Sequence, residues 1–173
     1  MMRSTGAILV AALAALPGPT AVPLAKDITA RTPLTQVTTA AKKWRADAIL
    51  TNVSSLTVNA DGTAKSWLFT FYAAQTKKSL SITFALGAPL DTLEVPNTSM
   101  LPIGDTWVDS DKAMQEAKRH ELKGQNPSMG LVVMGFTGSA VWAVNGGFAE
   151  GDVSVVLDGK TGTFIRREVI SYK

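Results

Sequence analysis

Cysteine is absent from this chain of 173 residues. That excludes a disulfide scaffold, a thiolate zinc site and a cysteine nucleophile. Histidine occurs once, as His120, so a multi-histidine metal centre is excluded as well. Charge is sparse: Asp, Glu, Lys and Arg together make up 18% of the residues, and the formal net charge is +3. The paired cations Lys42-Lys43, Lys77-Lys78 and Arg166-Arg167 stand apart from one another. A nucleic-acid partner calls for a concentrated basic patch, and none is expected here. Apolar residues are plentiful at 46%, which rules out a disordered polymer. The length suits one ordinary domain or two small ones.

Long hydrophobic runs are missing too. The longest, Gly6 to Leu16, has about 11 residues, whereas a membrane span needs roughly 20. Arg3 precedes this run, and Pro17, Gly18 and Pro19 follow it. Basic start, short apolar middle, breaker and small residues are the order of a secretory signal peptide. Residues 1–25 are therefore expected to be a signal peptide and the mature protein to be exported, periplasmic or extracellular, with no stable membrane span after cleavage. Cutting after Ala25 or after Ala21 places Pro23 or Pro19 where a small residue is preferred, so the cleavage point stays open. No cysteine follows the run, which excludes a lipid anchor at that point. Arg3 is the one charge in this segment, so its removal leaves 16 basic against 14 acidic residues.

Along the mature chain, residues 26–37 contain Pro33 and several polar residues and read as a linker. Ala41, Trp44 and Ala48 share one helical face, which predicts a helix over 39–50. The period then drops to two: Leu56 and Val58, then Trp67, Phe69 and Phe71, then Leu80, Ile82, Phe84 and Leu86. Short gaps between such runs predict antiparallel hairpins. Residues 88–108 carry Pro89, Pro96 and Pro102 and read as a connector, in which Thr92–Val95 can form a short strand. A second helix is expected over 109–120, with acidic residues at its start and Lys118, Arg119 and His120 at its end, as the helix dipole favours. Strand patterns return at 131–136, 140–148, 153–157 and 163–171.

The order helix, strand, strand, strand thus occurs twice, with Trp67 and Trp142 mid-way in the second strand of each set. This predicts an α+β protein of two tandem helix-plus-antiparallel-sheet units, 38–87 and 109–173. Each is marginal for an independent core, so the two are expected to pack as one body.

The stretch Trp107-Val108-Asp109-Ser110-Asp111-Lys112-Ala113, the helix after it, Trp142-Ala143-Val144, and Val153–Leu157 followed by Asp158-Gly159-Lys160-Thr161-Gly162 together resemble a PepSY domain. PepSY domains resemble cystatins, with a helix packed across an antiparallel sheet. The likeness is best over 107–171; in 38–87 it covers the order of elements and Trp67 alone. It implies a secreted, non-catalytic module with a role in restraining proteases and no catalytic residue to carry over.

Little else in the residues points to chemistry. His120, at a helix end beside Arg119 and Glu121, reads as a cap or an exposed residue rather than a base. Gly135-Phe136-Thr137-Gly138-Ser139 lacks the spacing of a nucleophile elbow. Gly146-Gly147 reads as a strand bend, since no helix is expected after it. Asp152 and Asp158 lack the spacing of a calcium loop. No cofactor and no metal are expected. Asn52-Val53-Ser54 and Asn97-Thr98-Ser99 match glycosylation sequons.

These readings favour an exported binding module, a regulator or inhibitor of an envelope or secreted protease. The alternative is a carrier or sensor of a small apolar ligand held between sheet and helix. Trp67 and Trp142, as anchors on an open sheet face, and the hairpin residues Asp158 and Gly162 are the candidate binding residues.

Overall fold

Pro33 is where the chain turns helical. A proline is tolerated at a helix start because the N–H it lacks has no helical partner there. Helix α1 runs Leu34–Trp44. Leu34, Val37, Ala41 and Trp44, spaced by three and four residues, pack on the core, so the first helix begins within the segment expected to be linker. Arg45 is already extended, and Ala48 belongs to the approach to strand β1. The computed structural model describes residues 26–96, 101–135 and 138–171. The expected signal peptide, the sequon at Asn97 and the centre of the Gly135–Ser139 turn lie outside the described residues.

Strand β1 is Ile49–Ser55, β2 is Ser66–Ala73, β3 is Lys78–Ala85 and β4 is Ala88–Val95. Helix α2 is Ser110–Arg119. Then come β5, Ser128–Val133, β6, Ala140–Asn145, β7, Val153–Asp158, and β8, Phe164–Val169. Strand β4 takes the first part of the expected connector and extends the short strand expected at Thr92–Val95 back to Ala88. Its Pro89 sits on a sheet edge, where a missing donor breaks no ladder.

The expected fold of two tandem helix-plus-sheet units is overturned. All eight strands form one antiparallel sheet in the order β4-β3-β2-β1-β5-β6-β7-β8, with two short helices. The joint is the antiparallel pair β1–β5, in which Val53 faces Leu131 and Ser54 faces Gly130. Each expected unit would have left a strand edge open at this point; pairing them satisfies both rows of backbone donors and acceptors.

Cross-strand register sorts the sheet into two faces. One row reads Ile82, Phe69, Val53, Leu131, Trp142, Leu157 and Phe164 from β3 to β8. These side chains meet Val37 and Ala41 of α1 and Ala113, Met114 and Ala117 of α2 in one hydrophobic core. The neighbouring row faces the other way: Asp91, Thr83, Leu68, Ser54, Gly130, Ala143, Val156 and Arg166 from β4 to β8. A second row on that face reads Leu93, Ser81, Thr70, Asn52, Val132, Val141 and Asp158.

The helices are held by hydrogen bonds from the core. The Trp67 indole N–H donates to the Ile28 carbonyl at 2.9 Å, and the Trp142 indole N–H donates to the Val108 carbonyl at 2.9 Å. Each tryptophan thereby fixes the segment leading into a helix. Ser110, fully buried at the start of α2, donates to the Gly62 carbonyl at 2.8 Å and accepts from the Ala30 N–H at 3.0 Å. Gly62 has φ +83°, and a Cβ there would press on the α2 backbone at Ser110 and Asp111. A side chain is excluded at that position on both counts.

Candidate functional site

Two kinds of surface stand out: the helix-free face of the sheet and three grooves beside the helices. Contacts between helices and strands run from α1 to β3 and β4 and from α2 to β6 and β7, all through the core face. On the helix-free face the β1–β4 half is built from short hydroxyl and amide side chains: Asn52, Ser54, Thr70, Ser81 and Thr83. Thr70 and Ser81 hydroxyls lie 3.4 Å apart. Among them rise two exposed leucines, Leu68 at 39% and Leu93 at 60%. The β5–β7 half carries Val132, Val141, Ala143 and Val156. Val141 and Val156 are buried but stand outside the hydrophobic core cluster. Short side chains let another molecule approach the backbone, and exposed leucines supply apolar anchors.

The first groove, of about 400 Å³, lies between α1, the start of β1 and the segment 102–107. Leu34, Thr38 and Lys42 line it from α1 at successive helical turns, and Leu50, Phe71 and Trp107 form apolar walls. Arg31 and Lys42 bring cations and Asp105 a carboxylate. The Arg31 guanidinium sits 4.7 Å from the centre of the Trp107 ring, and its Nη1 donates to the Trp107 carbonyl at 2.6 Å. A second groove, of about 430 Å³, runs between α2 and residues 57–60 and 124–127. A third, of about 340 Å³, is lined by Lys112, Glu116, Arg119, Thr161 and Gly162. There Arg119 donates to Glu116 at 2.9 Å, so its cation is already paired.

The structure places the four candidate binding residues in two settings. Trp67 and Trp142 are 0% exposed, lie on the helix-covered face and meet edge to face with ring centres 6.4 Å apart. Neither indole presents a surface to a partner. Trp107 joins them, 6.0 Å from Trp142. Asp158 and Gly162 form the β7–β8 turn. The Asp158 carboxylate accepts from the N–H groups of Lys160 and Thr161 at 3.0 and 2.7 Å and from the Thr161 hydroxyl at 2.9 Å. The Thr161 N–H does most to hold this carboxyl below its usual range, while partial burial works against it. Gly162 has φ +75° and its N–H donates to the Asp158 carbonyl at 2.8 Å, so it closes the turn in a conformation that favours glycine.

His120 stacks on Phe164 with ring centres 3.9 Å apart and lies 3.1 Å from Glu116. That contact, ahead of the Arg119 contact, holds the Glu116 carboxyl below its usual range. Asp152 accepts from the Ala149 N–H at 2.8 Å and serves its own turn. Among the described residues no three of His, Asp and Glu gather as a metal site would require.

Sequence reasoning missed Arg31, Asp105 and Lys42 as a group, and it missed Leu68 and Leu93. The spacing Leu34, Thr38, Lys42 carries a helical signal, but Leu34 falls in the segment read as linker.

No protein-family profile matches the chain, so the PepSY resemblance gains no support. No curated protein matches it. A solved structure from Clostridium difficile 630, provisionally described there as a lipoprotein, is similar to this chain with a TM-score of 0.57 at 12% identity. The match covers 78% of this chain and 91% of that one. At that identity the likeness speaks for a shared fold. No helix among the described residues is long and apolar enough to cross a membrane.

Proposed function

We propose that this protein is an exported, non-catalytic binding module that presents the helix-free face of its sheet to a protein partner. The observation that carries the reading is the division of the sheet. Both helices pack on the aromatic face, while the opposite face holds small hydroxyl side chains with Leu68 and Leu93 exposed among them. Export is supported by the order of Arg3, the apolar run and Pro17, and by the lipoprotein description of the structural neighbour. A protease partner is the finer form of the proposal, and inhibition of a captured peptidase is its direct assay.

The test is affinity capture from the cell envelope with the wild-type chain and with Leu68→Arg/Leu93→Arg. Both sites are surface positions, so folding is expected to survive. A discrete protein retained by the wild type and lost by the variant is the expected result. Equal retention by both overturns the proposal.

A second reading rests on its own observation. The groove at α1 has the size of a small-molecule site and lies between helix and sheet, where a carried ligand is expected. This is the alternative of a small-ligand carrier or sensor.

A further inference from the structure

The groove at α1 is lined by more positive than negative charge. Arg31 and Lys42 both line it, and among the described residues neither makes a salt bridge. Arg31 is bonded to the Trp107 carbonyl and Lys42 Nζ to the Ala46 carbonyl at 3.0 Å. Neutral carbonyls leave both positive charges unbalanced. Against these two cations stands one lining carboxylate, the exposed Asp105. Asp109, the other carboxylate near Arg31, accepts from the Arg31 backbone N–H at 3.0 Å and from the Ser110 N–H at 2.7 Å. The third groove is the control, since its Arg119 is paired with Glu116.

Cations beside apolar walls are complementary to a molecule with an anionic head and an apolar body. We infer that the α1 groove binds a small alkyl carboxylate, its head attracted by the cations Arg31 and Lys42 and its chain against Leu34, Leu50 and Phe71. This rests on the second reading of the groove as a ligand site, and it adds the ligand's chemical class.

The probe pair is decanoate and 1-decanol, each below its aggregation limit, titrated calorimetrically into the exported protein. Decanoate is expected to bind about fivefold more tightly than decanol. Lys42→Met is expected to weaken decanoate about threefold and leave decanol unchanged. Asp105→Asn, which removes the like charge, is expected to strengthen decanoate about twofold. Lys42 and Asp105 are exposed, so both variants are expected to fold. Equal affinity for the two probes overturns the inference while leaving the groove a ligand site. Binding of neither probe overturns both.

Discussion

The two faces of one sheet differ in what their side chains do. On the covered face the row from Ile82 to Phe164 is aromatic and aliphatic, and its members are buried in the core except the half-buried Phe164. On the free face the adjacent rows hold Ser54, Ser81, Thr83 and Gly130, with leucines left in water. Burial of apolar area drives folding, so the covered face carries stability. The β1–β4 half of the free face, where Leu68 and Leu93 stay exposed, buries little apolar area and is free to be shaped for recognition. Backbone pairing is common to both, because the same strands present both rows.

The largest expected effect breaks the sheet itself. Fragments 26–96 and 101–171, made separately, each expose one strand of the β1–β5 pair and separate Trp67 from Trp142. Neither is expected to unfold cooperatively in a thermal scan. Independent cooperative unfolding of both at the temperature of the intact chain contradicts a shared core. Next, Trp142→Ala on the covered face is expected to cost about 3–5 kcal/mol by urea denaturation, through the cavity and the lost bond to Val108.

Asp158→Ala sharpens the comparison at the sheet end. Its side-chain bonds to Lys160 and Thr161 vanish, at about 1 kcal/mol near neutral pH. The folded-state pKa of Asp158 lies below the ordinary value of 3.8. Its charge-linked contribution is therefore present above that value and lost as pH falls through the folded pKa. The gap between wild type and variant is expected to narrow in acid, as pH-dependent urea midpoints will show. The smallest effect is on the free face: Ser81→Ala is expected to change stability by less than about 0.5 kcal/mol. A loss as large as that of Trp142→Ala would erase the distinction between the faces.

Most strands were legible because their signal is local. Trp67, Phe69 and Phe71 alternate with Leu68, Thr70 and Tyr72, and β2 lies where that alternation places it. Strand β1 was not legible, since it runs Ile49–Ser55 through the end of the expected helix and leaves Leu56 and Val58, the expected first strand, outside it. Helix α2 was legible from Asp109 and the charge order along it. Helix α1 was misplaced because Pro33 reads as a linker residue when it stands at a helix start. The joining of eight strands into one sheet was not legible. It depends on Val53 meeting Leu131, a pairing between residues distant in sequence, and side-chain period carries no information on which strands become neighbours. The candidate site was hidden for a related reason. Trp67 and Trp142 stand out by size, but strand alternation does not say which face the helices will cover. Leu68 and Leu93, on the face left bare, look ordinary in the sequence.

The helix-free face is the proposed recognition surface. Its most direct test is a photo-cross-linking amino acid placed at Leu93 or Ser81 on that face, and at Lys43 or Gln115 on the helices, in cells that make the protein. One discrete protein adduct is expected from the sheet positions and none of that species from the helix positions. The same adduct from both sets, or from the helix positions alone, contradicts it.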